Sequence, residues 1–229
     1  MNTVQPIRSL TQIHKMENIL KSQSLRDYML FRLGINSGLR ISDILKLKVK
    51  DIRNQDYFIL KEQKTGKTQR IKIQSTLKKE LDEYIKDMND EDYIIGSQKY
   101  TSTFTISTKV KNEAGKTTRI KQQIENTSNN SPLQRMQAWR ILNDAASKVG
   151  IKDPIGCHTM RKTFGYFMYL HANKDITIVQ KFLNHSSPSV TLRYIGITQS
   201  DMDDLIDSFD FDSFDNKNRT KGKSKKVAI

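Results

Sequence analysis

Residues 158–195 read HTMRKTFGYFMYLHANKDITIVQKFLNHSSPSVTLRYI, and the placing of polar residues in this stretch decides the fold and points to its chemistry. The spacing predicts three helices, at about 158–172, 176–184 and 188–195. Pro188 falls at the first position of the last helix, where a missing N–H costs nothing and a fixed φ suits the geometry. His158 and Arg161 stand three apart at a helix start, so they share one face. His185 precedes a Ser-Ser-Pro turn, and Tyr194 lies nine residues beyond it. Taken singly, each has a plain reading: a solvated helix start for His158 and Arg161, a core tyrosine for Tyr194.

Upstream, apolar spacing continues the helical pattern. A first helix begins near Ser9 or Thr11, with Ile13, Met16, Ile19 and Leu20 on one face. A second runs from Leu25 through Tyr28, Met29, Phe31 and Leu33, and stops between Gly34 and Gly38. A short helix is expected after Ser42, read as its N-cap, through Ile44, Leu45 and Leu47. Asp56–Glu62 and Arg70–Ile73 read as strands joined by a turn at Lys64-Thr-Gly-Lys67, and residues 75–88 as a helix. Helical periodicity vanishes over 97–131, where Phe104 and Ile106 alternate and Asn112–Gly115 offers a turn. That excursion, with six Lys/Arg and two Glu, is expected to be a β-hairpin with a DNA contact as one reading of its charge. A helix at about 133–149 follows.

Charge narrows the function. The chain of 229 residues carries a net +14, and residues 201–229, with seven Asp and six Lys/Arg, contribute −1 of it. The body over residues 1–200 is therefore strongly cationic and calls for a polyanion, with nucleic acid ahead of an anionic membrane. No apolar run approaches the ~18 residues of a membrane span, and the single Cys157 excludes an internal disulfide framework and suits a reducing cytosol. A cytoplasmic, nucleoid-associated protein is expected. Thr65-Gly-Lys-Thr68 is similar to the end of a phosphate-binding loop, but Lys61 occupies the position of its required first glycine. Four scattered histidines give no zinc pattern. Segment 201–215 is acidic yet holds Leu205, Ile206, Phe209, Phe211 and Phe214, which suits an amphipathic docking element; 216–229 reads as a disordered basic tail.

Together, Arg40, Lys64, His158, Arg161, His185 and Tyr194 form a coherent set for phosphoryl transfer. A DNA phosphodiester is anionic, and its transition state concentrates charge on the non-bridging oxygens. Two guanidiniums suit that charge, because each donates paired hydrogen bonds and stays ionised at any working pH. A phenol must lose its proton as it attacks, and a neighbouring imidazole can take it. A lysine carried on a hairpin can protonate the leaving 5′ oxygen. With so much fixed positive charge, no metal or cofactor is expected.

The motifs Gly38-Leu-Arg-Ile-Ser-Asp43, Lys64-Thr-Gly-Lys67, His158-Thr-Met-Arg161, Leu183-Asn-His-Ser-Ser187 and Thr191-Leu-Arg-Tyr194 occur in the order and spacing of the tyrosine recombinase, or phage integrase, family. The resemblance runs from about residue 5 to residue 205 and is nearest to short bacterial and mobile-element members made of the catalytic domain alone. It implies an α+β fold, mainly α, with a small antiparallel sheet, and a catalytic domain over 1–200. It implies Arg40 and Arg161 as the phosphate clamp and Tyr194 as nucleophile, with His158 as general acid/base and His185 as phosphate hydrogen-bond donor. Lys64 becomes the general acid, with Lys67 the alternative, while Asp43 steadies Arg40 or the helix start. The implied partners are double-stranded DNA, four protomers on two duplexes, and accessory DNA-binding proteins. These would compensate for the separate N-terminal DNA-binding domain that family members usually carry. Asn184 departs from the pattern, standing where many members have glycine, and the 97–131 excursion is long. A type IB topoisomerase and a non-catalytic DNA-binding protein are the rival readings.

Overall fold

The computed structural model describes residues 4–61, 66, 68–97, 101–111, 117–127, 131–207 and 209. Helix α1 (Leu10–Gln23) starts where Ser9 accepts a hydrogen bond from the Gln12 amide, and it buries Ile13, Met16 and Leu20. Spacings of three and four put those residues on one stripe. Ser24 closes α1 by donating its amide to the Leu20 carbonyl, and its hydroxyl oxygen then caps α2 (Leu25–Ser37) by accepting from the Asp27 amide. Helix α2 is the central element, burying Met29, Leu30, Phe31 and Leu33. It ends at Gly38, whose left-handed φ of 64° favours a residue without a Cβ.

Helix α3 spans Ile41–Ile44, so Arg40 and not Ser42 holds the N-cap position. The earlier start follows from packing: Leu39, Ile41, Ile44 and Leu45 are all buried, and only a turn beginning at Ile41 sends them inward together. A single 3-10 turn at Val49–Asp51 leads to strand β1 (Tyr57–Lys61), which pairs antiparallel with β2 (Thr68–Lys72) and sets Phe58 opposite Ile71. Phe58 is buried in the main core while Ile59, pointing the other way, is exposed. Lys64 and Lys67, the two candidates for the lysine role, lie outside the described residues.

Helix α4 (Ser75–Ile85) stops before the expected Met88, because the Arg53 guanidinium donates to the carbonyls of both Ile85 and Met88 and closes the end. Strands β3 (Thr101–Lys111) and β4 (Thr117–Thr127) form the expected hairpin, in a second two-stranded sheet whose register pairs Phe104 with Ile124. Its turn over 112–116 lies outside the described residues.

Helices α5 (Arg135–Val149), α6 (Cys157–His171), α7 (Ile176–Leu183) and α8 (Pro188–Ile195) follow, then α9 (Gln199–Asp207), which begins just before the expected docking segment 201–215 and runs into it. Residues 210–229 fall outside the described part. Among the described residues, two apolar clusters hold the fold. The larger joins α1 to α5, β1 and β2; the smaller, built on Phe164, Val179, Leu183 and Ile195, locks α6, α7 and α8 together. No described helix is long and apolar enough to cross a membrane.

Candidate active site

Helix α6 supplies most of the site. Its N-cap is Gly156, whose amide donates to the Thr159 hydroxyl (3.1 Å), and the helix then presents His158, Arg161 and Lys162 within its first turn and a half. Arg161 is buried, at 3% exposure, and its charge needs partners there. Its Nη1 donates to the Gly38 carbonyl, and its Nη2 to the Leu183 carbonyl at 2.7 Å. Those carbonyls close α2 and α7, so one side chain ties three helices and its guanidinium plane is fixed by two of its five N–H groups. Gly38 is needed in turn: a Cβ there would lie 2.5 Å from the Phe164 ring.

Tyr194 reaches the same place from α8. Its hydroxyl is 3.3 Å from His158 Nδ1, and its ring stands edge to face with His185, 4.8 Å between centroids. The approach depends on Gly165, where a Cβ would be 2.7 Å from Ile195 Cγ2; a bare backbone on α6 lets α8 settle this close. Burial pushes the Tyr194 phenol above its ordinary 10.0, while Arg161, by charge and hydrogen bond, and Arg40, by charge, pull the other way. His158 is displaced in the opposite sense. Burial lowers it below 6.5, and the positive charges of Arg135, Arg161, Lys162 and Arg40 lower it further. At neutral pH the pair is therefore a protonated phenol beside a neutral imidazole, the arrangement in which a proton can pass to His158.

His185 is set by the end of α7. Asn184 adopts φ 52° and ψ 45°, the left-handed cap conformation, and it does the work of the glycine expected there, since asparagine is among the few other residues that enter this region at modest cost. His185 Nδ1 then lies 3.2 Å from Thr191 Oγ1, and that hydroxyl donates its proton to the Ser187 carbonyl at 3.0 Å. With the threonine proton committed, Nδ1–H of His185 is the donor in the pair. Its other ring nitrogen, Nε2, donates in turn when the ring is protonated. Arg40, at the start of α3, is half-buried and close enough to act electrostatically on both Tyr194 and His158. Asp43 is buried in the first turn of α3, its carboxylate 3.5 Å from the Ser42 hydroxyl.

Five of the six expected site residues thus converge: Arg40, His158, Arg161, His185 and Tyr194. The sixth, Lys64, lies outside the described residues with its alternative Lys67. Sequence reading passed over Lys162, which is buried and carries its Nζ 5.2 Å from the centre of the Tyr194 ring. Its position four after His158 on one helix was the available signal. Arg135, at the start of α5, was also passed over and bears electrostatically on His158.

The model of the Phage integrase family matches residues 7–200 of this chain. Across 199 residues the chain is 44% identical to the probable integrase/recombinase YoeC of Bacillus subtilis, covering 87% of this chain and 93% of that protein. In the crystal structure of XerA recombinase the same fold recurs with a TM-score of 0.62 and 19% identity, over 89% of this chain and 65% of that one. The XerH site-specific recombinase bound to its palindromic difH substrate, a post-cleavage complex, gives a TM-score of 0.62 at 15% identity, over 91% of this chain and 54% of that one. The chain therefore spans most of the Bacillus relative but only about half to two-thirds of the two Xer proteins.

Proposed function

The chain belongs to the phage integrase family and is a site-specific tyrosine recombinase, and from that premise we propose that Tyr194 cuts and rejoins DNA through a 3′-phosphotyrosyl bond. In this reading the Tyr194 oxygen attacks the scissile phosphorus and its proton passes to His158. The P–O bond to the 5′ oxygen breaks, and Lys64 or Lys67 delivers a proton to the departing hydroxyl. Arg40 and Arg161 hold the non-bridging oxygens, so that charge developing in the transition state meets donors already in place, and His185 donates a further hydrogen bond from Nε2 when its ring is protonated. The covalent bond conserves the energy of the one broken, and religation runs the same steps backward without ATP. The observation that supports this most is the 3.3 Å contact between the Tyr194 hydroxyl and a histidine kept neutral by burial and four cations.

Double-stranded DNA suits a body with the chain's net +14. Assembly as four protomers on two duplexes would bury exposed apolar residues in and just after α9, of which Ile206 and Phe209 are 70% and 60% accessible. Accessory DNA-binding proteins would add site selectivity to this largely electrostatic attraction, at a cytoplasmic, nucleoid location. The test is a nicked duplex from which the short downstream fragment, bearing the free 5′ hydroxyl, diffuses away after cleavage and so leaves the protein trapped on the DNA. Wild type should accumulate a covalent DNA adduct and Tyr194→Phe none, with DNA binding unchanged. An adduct that persists in Y194F would move the nucleophile elsewhere.

A further inference from the structure

A buried lysine is expensive unless something uses its charge. Lys162 is 4% exposed, on the turn of α6 that faces α8. Its ammonium meets the Tyr194 ring, 5.2 Å from the centroid, and burial lowers its affinity for a proton. Gly165, three residues on along the same helix face, receives Ile195. Lys162 and Gly165 together thus form the floor on which the last turn of α8 rests, with the lysine beneath the phenol and the glycine beneath its neighbour.

We propose that Lys162 is a positioning residue for the Tyr194 phenol, its ammonium seating the ring edge toward His158 and favouring the phenolate over the phenol. The inference rests on the reading of Tyr194 as nucleophile and adds a residue to it. Two stages of one interaction carry the effect. Against the neutral ring, the cation meets the negative face of the aromatic quadrupole and fixes where the ring lies. As the hydroxyl loses its proton the ring system takes a full negative charge, and the contact becomes an ion pair in a water-poor seat, where charges interact more strongly. Lys162 therefore holds the transition state more tightly than the ground state, the condition for raising a rate. The groups that act on the phenol with it are His158 and Arg161 from α6, His185 from the turn after α7, and Arg40 from the start of α3. The arginines add charge at the oxygen, whereas Lys162 sits against the ring face.

The test needs no DNA in its first arm. Protein carrying 3-fluorotyrosine is titrated by fluorine NMR, with the Tyr194 signal identified by its absence in Y194F. Lys162→Met should raise the Tyr194 midpoint by about one unit or more, and Lys162→Arg should keep it near wild type. In the second arm, single-turnover cleavage of the nicked duplex by K162M should be roughly ten- to a hundredfold slower at neutral pH, with the deficit shrinking as pH rises. K162R should recover most of the rate. An unchanged midpoint in K162M, or a deficit constant across pH, would overturn the proposal and leave the lysine a packing residue. Should K162M not fold, K162R decides: retaining the charge, it must keep the wild-type midpoint and pH profile, and a departure overturns the proposal. The two readings fail separately, since wild type forming no adduct would count against the nucleophile while the titration still judges Lys162.

Discussion

His158 and Tyr194 illustrate how one burial event moves two groups apart. Removing water disfavours whichever form is charged, so the histidine falls below 6.5 and the phenol rises above 10.0. A neutral His158 is the form that accepts a proton, and it is lost only as pH drops through its lowered value. The rate of adduct formation should therefore hold its plateau down to and below pH 6.5, the ordinary histidine value, before an acid limb sets in. Single-turnover rates across pH check this, and His158→Gln should abolish the limb while lowering the plateau by roughly 10²- to 10⁴-fold. An acid limb lying above 6.5 would contradict the account. Arg161 admits a sharper test, because its guanidinium fork spans two backbone carbonyls that an ammonium cannot reach together. Arg161→Lys keeps the charge and should still cut cleavage by about 10²- to 10³-fold. Losing a buried partner should also cost about 1–3 kcal/mol of stability in a urea melt. A variant with near wild-type cleavage would show that charge alone suffices.

Among the elements, caps and close contacts decide where the reactive side chains arrive. Asn184 closes α7 in the left-handed conformation and aims His185 at Thr191. Asn184→Gly should be neutral or slightly stabilising, whereas Asn184→Ala should cost about 1 kcal/mol and slow cleavage by displacing His185, readable by thermal melting and adduct rate. Gly165→Val should separate α8 from α6 and abolish cleavage more completely than it unfolds the protein, since its added atoms meet Ile195 directly. These elements were legible in sequence to differing degrees. Helices with a polar cap and a full apolar stripe, such as α1 and α8, are foreseen because local signals agree. Helix α3 begins two residues before the start that Ser42 suggests: four residues carry no periodicity, and its start is dictated by Leu39 and Ile41 turning inward. The hairpin of β3 and β4 follows from the alternation around Phe104, but its length does not, since a ladder continues as far as its partner strand does. Five site residues were named from motif spacing, yet Lys162 was not. A lysine in a helix reads as solvated until the helix that buries it is known.

At the scale of the molecule, distant segments are pinned behind the site. The Ile7 amide donates to Thr163 Oγ1 at 2.9 Å, and the Gln5 amide to the Pro154 carbonyl at 3.0 Å, so the chain's first described residues brace α6 from outside. Arg8 reaches the Gly196 carbonyl that closes α8, lies over the Tyr166 ring and pairs with Asp201 at 3.3 Å on α9. Arg8→Ala should loosen the end of α8 and lower adduct yield several-fold while leaving DNA binding intact; unchanged yield would mean that α8 is held by its apolar cluster alone. Binding itself should weaken steeply with salt, as each neutralised phosphate releases counterion. The mechanism turns on which oxygen carries the DNA. Nuclease digestion of the trapped complex, followed by trypsin and tandem mass spectrometry, reads this directly. The peptide running from Tyr194 to Lys217 contains one tyrosine, and it should carry the residual nucleotide. A nucleotide on a peptide bearing any other of the chain's eight tyrosines, or on a serine, would contradict the mechanism.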